Sequence, residues 1–137
     1  MKTVMSGLDL RAIANELSQM AGSHCKKCYQ PHYEQVVLRL RAKSGGNTDL
    51  VLVRGKRIYT SQRDRPMPQY PAPFAMVLRK VLTNARLKAV EQVGFDRVLR
   101  FIFENSHGTF HLYVEVFRDG NIILTDGDDL IIQPLTH

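Results

Sequence analysis

The first part of the chain shows apolar residues at helical spacing. An apolar residue recurs every three or four positions, at Leu10, Ile13, Leu17 and Met20. This spacing predicts an amphipathic helix over 8–21. Ser6 followed three residues later by Asp9 resembles a capping box at its start, and Gly22 is suited to its end.

From His24 onward the pattern has a period of two. Apolar and polar side chains alternate over 36–41, which predicts a half-buried strand. Two further short strands, over 50–53 and 58–60, are bounded by tight turns at 44–47 and 54–57.

The rest of the chain contains a proline-rich loop, a second helix and more strands. Four prolines occur within 65–73, which predicts an extended loop. A helix over 74–83 follows, with Pro73 suited to its first turn. Further strands are predicted over 87–93, 97–103, 109–117, 121–125 and 130–132. Because short connections imply antiparallel pairing, we predict an α+β fold in which two packed, mainly antiparallel β-sheets are flanked by two helices.

Length and composition fit one globular domain over 1–137. The chain has 137 residues, of which 44% are apolar and 23% are charged. No apolar run approaches the ~20 residues of a membrane span. The first residues lack the apolar stretch and cleavage site of a signal peptide. We therefore expect a cytoplasmic protein without a membrane partner.

The net charge of +6 is unevenly distributed. Residues 26–65 carry ten basic and three acidic side chains, whereas residues 104–137 carry one basic and six acidic ones. This split is typical of a protein with one surface facing a polyanion, although it also fits the solvated surface of a basic protein. The side chains predicted to bind RNA phosphates are Arg39, Arg41, Lys43, Arg54, Lys56, Arg57, Arg79 and Lys80.

The chain has two cysteines, Cys25 and Cys28. A lone C-x-x-C motif is weak evidence for zinc, because a closed zinc site needs four ligands. His24 and His32 could complete a set, but the two lysines between the cysteines would add positive charge beside a cation. In a strand, the two cysteine side chains would also point to opposite faces. We therefore predict two reduced thiols and no bound metal.

Motifs of catalytic and cofactor sites are absent from the sequence. The five histidines have no metal-ligand spacing, and there is no P-loop, G-x-S-x-G or G-x-G-x-x-G that opens a helix. The acidic run at 126–129 lacks the spaced ligands of a calcium loop. We therefore predict a binding module without a cofactor, and no enzymatic activity.

Two polar features remain as candidates for function. Asp9 lies at the start of the first predicted helix, and Asp96 and Arg97 lie between two predicted strands. An adjacent Asp and Arg can form a local ion pair or a turn contact. Alternatively, Asp96 orients a basic group while Arg97 presents its planar guanidinium to a phosphate or a base edge.

Five stretches of the chain match a known family. They are SGLDLRAI at 6–13, GKRIYT at 55–60, PFAMVLRK at 73–80, QVGFDRV at 92–98 and LYVEVFRDGNIILTD at 112–126. In order and spacing, they resemble the N-terminal domain of the NFACT family. That family comprises the eukaryotic ribosome quality-control tailing factors, the bacterial fibronectin-binding-protein-A-like proteins and their archaeal counterparts.

This resemblance implies a protein that acts on the large ribosomal subunit when a peptidyl-tRNA obstructs it. There it would engage tRNA and support the template-free extension of the stalled chain. The resemblance also implies that Asp9, Asp96 and Arg97 handle the tRNA. The family's helix-hairpin-helix, coiled coil and second RNA-binding domain are missing, so we expect a domain excised from a longer protein.

The resemblance further implies a fold similar to the N-terminal domain of formamidopyrimidine-DNA glycosylases. Those enzymes use a proline after the first methionine as the nucleophile, followed by a glutamate, whereas Lys2 and Thr3 stand here. Base excision by that mechanism is therefore not expected. Two alternatives stay open: a DNA-binding or repair protein on this fold, and a protein-interaction domain that works through its acidic C-terminal half.

Overall fold

The computed structural model describes residues 7–62, 67–68, 71–94 and 96–137. Several residues discussed above lie outside this part of the chain, namely Lys2, Thr3, Ser6, Arg63, Asp64, Arg65 and part of the proline-rich loop. The helices are α1 (Gly7–Leu17) and α2 (Pro73–Leu82). The strands are β1 (His24–His32), β2 (Gln35–Arg41), β3 (Asn47–Val53), β4 (Arg57–Ser61), β5 (Arg86–Gln92), β6 (Val98–Asn105), β7 (Gly108–Glu115), β8 (Ile122–Asp126) and β9 (Ile131–Pro134).

Helix α1 buries one face, as its apolar spacing predicts. Leu10, Ala14 and Leu17 are buried on that face. The α-helix ends at Leu17 instead of 21, and a single 3-10 turn, Ser18–Met20, follows it. The hydroxyl of Ser18 donates to the carbonyl of Ala14 at 2.8 Å. Such a bond from a side chain back to the preceding turn competes with regular helix geometry.

The strands form one antiparallel sheet in the order β4-β3-β2-β1-β5-β6-β7-β8-β9. The predicted α+β class, with antiparallel pairing and two α-helices, is confirmed for the described chain. The prediction of two separate sheets is wrong, because the residue pair His24 and Arg86 joins β1 to β5. We call β1–β4 the first leaf and β5–β9 the second leaf.

The two leaves bend toward each other across this junction. The amide of Gly55, in the β3–β4 turn, donates to the carbonyl of Glu115 at the end of β7 at 2.8 Å. The Nε of Arg54 donates to the carbonyl of Gly120 at 2.9 Å. In a flat sheet of this strand order, β3 and β7 would lie about 24 Å apart. These contacts therefore require the leaves to face each other.

One apolar core fills the space between the leaves and under the helices. Its buried side chains come from both leaves and both helices, and include Leu10, Leu17, Leu38, Leu52, Phe74, Leu78, Leu99, Phe101, Phe103, Val114 and Leu124. A smaller cluster lies on the outer face of the first leaf and consists of Tyr29, Val37 and Val51, with Met67 packed against it. Met67, from the proline-rich loop, therefore lies on this outer face.

Helix α1 packs against β5 and β6, whereas α2 lies mainly on β1. The hydroxyl of Ser18 donates to the carbonyl of Val90 at 3.2 Å. The amide of Gly22, further along the chain, donates to the carbonyl of Leu87 at 2.8 Å. The chain therefore runs antiparallel to β5, which directs the N-terminus of α1 toward the β5–β6 connection. No helix of the described residues is long and apolar enough to cross a membrane.

The C-x-x-C motif departs from regular strand geometry. Cys25 pairs with Leu40, while Lys27 pairs with the next residue of β2, Arg39. One extra residue therefore stands in β1 and forms a β-bulge. The bulge turns Cys25 and Cys28 to the same side, where both are buried in the core. The prediction that their side chains point to opposite faces is therefore wrong.

Candidate nucleic-acid interface

Asp96 and Arg97 lie in a turn between β5 and β6 that backbone hydrogen bonds hold in place. The amide of Asp96 donates to the carbonyl of Val93 at 3.1 Å, and the carbonyl of Arg97 accepts from the amide of Val116 at 2.9 Å. The side chain of Gln92 donates to the carbonyl of Asp96 at 3.0 Å. The turn is therefore anchored to its own strand and to the segment that follows β7.

The side chains of Asp96 and Arg97 are both exposed. Neither forms an ion pair with another residue of the described chain. The local ion pair that the sequence left open is thus not formed. Together with Val98, Glu115 and Phe117, they line an open cleft of about 540 Å³. We call it the Arg97 cleft.

Asp9 lies half-buried in the first turn of α1. It precedes Ser18 by about 14 Å along the helix axis at the usual rise per residue. Because Ser18 contacts Val90 and α1 runs antiparallel to β5, the helix carries Asp9 toward the end of the molecule that holds Asp96 and Arg97. That the three side chains share one cleft stays a prediction.

A second cleft lies where the β3–β4 turn meets the β7–β8 connection. It measures about 320 Å³, and we call it the Arg118 cleft; its lining residues are Glu34, Arg54, Gly55, Lys56, Arg118, Asp119 and Gly120. Glu34 lies 3.7 Å from Arg54 and 3.4 Å from Lys56 and offsets part of their charge. Arg118 is exposed and makes no ion pair within the described chain. The segment 115–120 separates this cleft from the Arg97 cleft.

Tyr29, on the outer face of the first leaf, is surrounded by cations. The guanidinium groups of Arg39 and Arg79 each lie 5.3 Å from the centre of its ring, and the ammonium group of Lys27 lies 5.7 Å away. These distances fit cation–π contacts. We call these four residues the Tyr29 cluster.

Two residues of the predicted phosphate-binding patch are held by the protein itself. Arg39 makes two hydrogen bonds to the buried carboxylate of Asp49, at 2.9 and 3.1 Å. Arg79 donates from Nε to the carbonyl of Cys28 at 2.7 Å. Both guanidinium groups therefore have structural partners, which makes them less available to a phosphate.

The other residues of the predicted patch do not form one continuous surface. Arg54 and Lys56 line the Arg118 cleft. Arg57 lies 5.3 Å from the ring of Tyr59. Lys80 lines a separate cleft of about 410 Å³ at the C-terminal end of α2. The remaining members, Arg41 and Lys43, are exposed near the β2–β3 hairpin.

Sequence reasoning missed Arg118 and Tyr29. Arg118 was counted within the acidic C-terminal part, although it is the only basic residue there and stands in the matched stretch at 112–126. Lys27 and Tyr29 are two residues apart and therefore lie on one face of the strand, which predicts a cation–π contact between them. The cysteine motif was the only feature considered in this stretch of the sequence. The contacts with Arg39 and Arg79 come from other elements and are not visible in the local pattern.

Comparison with known proteins identifies a family. Residues 6–137 match the family of NFACT N-terminal and middle domains. The archaeal Rqc2 homolog aRqcH of Methanocaldococcus jannaschii is 38% identical over 140 residues, which cover 98% of this chain and 21% of that protein. The ribosome quality control complex subunit NEMF of Homo sapiens is 35% identical over 136 residues, which cover 98% of this chain and 12% of that protein.

Solved structures show the same fold. The N-terminal domain of fibronectin-binding protein PavA from Streptococcus pneumoniae superposes with a TM-score of 0.86 at 29% identity, over 96% of this chain and 53% of that chain. The N-terminal part of the fibronectin/fibrinogen-binding protein of Streptococcus suis gives 0.87 at 29% identity, over 97% of this chain and 54% of that chain. The chain thus spans a small part of its full-length relatives and about half of these structures.

Proposed function

The chain belongs to the NFACT family, and on that premise we propose that it is the RNA-binding module of a ribosome quality-control factor. In this role it engages tRNA on obstructed large ribosomal subunits and supports the template-free C-terminal tailing of stalled chains. The names of its relatives support the quality-control role. The observation that carries tRNA engagement is Arg97, an exposed guanidinium on an anchored turn that has no ion-pair partner among the residues the structure describes.

Asp96 and Arg97 offer complementary hydrogen-bonding groups to a nucleotide. The guanidinium of Arg97 can donate two parallel hydrogen bonds to a phosphate or to the edge of a guanine. The carboxylate of Asp96 can orient Arg97 or accept from the amino group of a base. Asp9 would add a second carboxylate from α1. Since backbone hydrogen bonds fix the turn, little ordering of the main chain is needed on binding.

The Arg118 cleft would bind the adjoining phosphodiester backbone. Arg118 and Lys56 are exposed there, and Arg54 is fixed by its bond to the carbonyl of Gly120. Lysine and arginine contacts to phosphates supply affinity without sequence preference. The two clefts on either side of 115–120 could then follow one strand, with the Arg97 cleft reading a nucleotide and the Arg118 cleft holding the backbone beside it.

The function test compares alanine substitutions at Asp9, Asp96 and Arg97 with a matched control. Losing one phosphate or base contact typically costs ~1–3 kcal/mol of binding free energy. We expect each variant to weaken tRNA binding by this amount while its melting temperature stays near that of the wild type. Lys88→Ala is the control, because it removes one exposed cation that pairs with Glu104 at 3.1 Å, away from both clefts.

The result decides whether the three residues bind tRNA or only stabilise the fold. Equal losses of stability and of tRNA binding in the three variants would show that these residues only stabilise the fold. If Lys88→Ala weakened binding as much as Arg97→Ala, only overall charge would matter. Nicking of a lesion-containing duplex by the wild-type protein would instead favour a repair enzyme.

A protein-interaction function is the second candidate, because one observation favours it. Leu130, Ile131 and Ile132 are exposed, and the last two stand in β9 at the edge of the sheet. Exposed apolar edge strands can pair with a partner chain. Binding of tRNA that weakens with rising salt concentration would count against this alternative.

A further inference from the structure

Cys25 and Cys28 form a buried pair of thiols in the β-bulge of β1. Each residue is 1% exposed, and the two sulfur atoms lie 3.6 Å apart. A disulfide bond is about 2.05 Å long, so the sulfur atoms need to approach by roughly 1.5 Å to form one. In a regular strand the two side chains would face opposite sides, which would prevent this bond.

The surroundings of the pair do not form a metal site. No group of three or more His, Cys, Asp or Glu side chains in the described chain is arranged to hold a metal ion. The charged side chains that line the small cavity beside the sulfur atoms are cations: Lys26, Lys27 and Arg79. A closed zinc site needs four ligands and is not satisfied by two sulfurs. A reaction between the two sulfurs is therefore the chemistry that the geometry favours.

We propose that Cys25 and Cys28 form a reversible intrachain disulfide when they react with hydrogen peroxide or a peroxide of similar size. The thiolate of one cysteine attacks a peroxide oxygen, which breaks the O–O bond, gives a sulfenic acid and releases hydroxide. The second sulfur then attacks the sulfenic sulfur and displaces its oxygen as water. In total, two thiols and one hydrogen peroxide give one disulfide and two waters.

The cavity beside the thiols selects a small oxidant. It measures about 20 Å³, and the exposed residues Lys26, Lys27 and Thr83 stand at its rim. A volume of this size holds about one water molecule. Hydrogen peroxide is only slightly larger than water, whereas oxidised glutathione is far too large to enter.

The thiol of Cys28 holds its proton more tightly than a free cysteine. The hydrogen bond with Cys25, burial and the charge of Cys25 raise the pKa of Cys28 well above its ordinary value, and Arg79 offsets only part of this. Both cysteines line the cavity, so either sulfur can make the first attack on peroxide and the other then closes the disulfide.

Disulfide formation would also fix the backbone that supports the Tyr29 cluster. The carbonyl of Cys28 accepts the hydrogen bond of Arg79, and Tyr29 is the next residue of the strand. A bond across the bulge would hold this carbonyl in place. We therefore expect oxidation to raise the melting temperature and to leave the cations around Tyr29 in position.

The test is the intact mass of the folded protein after treatment with hydrogen peroxide. We expect a loss of two hydrogen atoms that peptide mapping places on Cys25 and Cys28, and dithiothreitol should restore the mass. Methionine oxidation adds oxygen and is separated by the same mapping. In a second arm, oxidised glutathione should oxidise the folded protein much more slowly than the chain unfolded in guanidinium.

Single alanine variants remove the second thiol and keep the buried site apolar. In Cys28→Ala and in Cys25→Ala, hydrogen peroxide should add oxygen to the remaining cysteine instead of removing two hydrogens, because no second thiol can close a disulfide. A remaining cysteine that stays unmodified in both folded variants would overturn the reaction through a sulfenic acid. Oxygen addition to the wild-type cysteines without loss of two hydrogens, or oxidation by glutathione at the rate of the unfolded chain, would overturn the proposal. The wild-type measurements decide the proposal even if a variant fails to fold.

Discussion

Single residues show where the sequence pattern misleads. The pattern predicts Arg39 as a phosphate ligand because it occupies a polar position of a strand. The pairing of β2 with β3 places it directly opposite Asp49, and the two form a double hydrogen bond. Asp49 is only 4% exposed, so its carboxylate depends on this partner for its hydrogen bonds. A one-dimensional pattern gives the face of a residue but not the residue opposite to it.

Asp49→Ala should therefore destabilise the fold. It leaves the guanidinium of Arg39 without its carboxylate, and hydrogen bonds to charged groups contribute ~1.5–3 kcal/mol. Because the side chain of Arg39 is 27% exposed, water compensates in part, and we expect a loss of about 1–2 kcal/mol in the free energy of unfolding. Urea titration measures it.

The control is the double variant Arg39→Met with Asp49→Leu. Replacing both charged partners by apolar groups is often neutral or stabilising. It should recover most of the stability that Asp49→Ala loses. A single variant as stable as the wild type would show that the ion pair contributes nothing.

Gly120→Ala should destabilise the β7–β8 connection, whose carbonyls at Glu115 and Gly120 accept hydrogen bonds from the first leaf. A Cβ at this position would lie 2.5 Å from the carbonyl oxygen of Glu115 and 2.7 Å from that of Phe117, and these backbone atoms cannot move aside easily. Overpacking of this kind costs ~1–3 kcal/mol. Gly46→Ala is the control, because a Cβ there meets nothing within 4 Å. Equal thermal melting of both variants would contradict the close approach.

Secondary-structure elements were easier to predict than their assembly. Each predicted helix and strand from 36 onward corresponds to an element of the structure, because apolar period and turn residues are local signals. The leaves are joined by the pairing of β1 with β5 at His24 and Arg86 and by the contacts of Arg54 and Gly55 with the β7–β8 connection, all between segments distant in sequence. The β-bulge at the cysteines was also missed. For the candidate site, Asp96 and Arg97 stay a prediction from the sequence, and the cleft lined by Arg118 was not predicted.

The turn after β8 contains Asp129, whose carboxylate is expected to make the stability of the fold sensitive to acid. Hydrogen bonds from Tyr113 and His111 lower the pKa of Asp129 from its ordinary value of 3.8, and the charge of Arg100 adds to this effect. A lowered folded-state pKa contributes stability above the unfolded value, and this contribution is lost as the pH falls below 3.8. Because the side chain is 55% exposed, the effect is small.

Asp129→Asn should reduce this acid-dependent loss of stability. Asparagine tolerates the positive φ of 64° at this position, so the turn itself is kept. Urea midpoints measured from pH 6 downward should fall less steeply in the variant than in the wild type. Asp128→Asn, at the exposed neighbouring position, is the control and should follow the wild-type curve. A variant curve parallel to that of the wild type would contradict the role of Asp129.

At the scale of the whole molecule, the distribution of basic residues predicts weak binding to a polyanion such as tRNA. The basic residues of the predicted patch are divided among the Arg118 cleft, the Tyr29 cluster, the β2–β3 hairpin, the ring of Tyr59 and the cleft at the end of α2, and several of them have structural partners. Fewer cations are thus available to a polyanion than the net charge of +6 suggests. We expect weak binding, in the range of ~10⁻⁴–10⁻⁶ M that phosphate contacts alone provide.

Binding of tRNA should therefore weaken steeply with salt. A few phosphate contacts lower the affinity about tenfold or more between ~50 and ~200 mM monovalent salt, because counterions are released on binding. Arg118→Ala should reduce the slope of log K against log salt by about one contact. Lys88→Ala should leave the slope unchanged. A binding isotherm that is the same at both salt concentrations would exclude phosphate recognition.

The pairing of β1 with β5, which joins the two leaves, also determines how the chain can fold. Within each leaf, strands that are neighbours in the sheet are neighbours in the sequence, so these hairpins close short loops and form quickly. The β1–β5 pairing and the packing of α1 on β5 join distant segments and must come later. During synthesis on the ribosome, α1 emerges before β5 and β6 and has no surface to pack on until they have followed. An element made early is therefore among the last to dock.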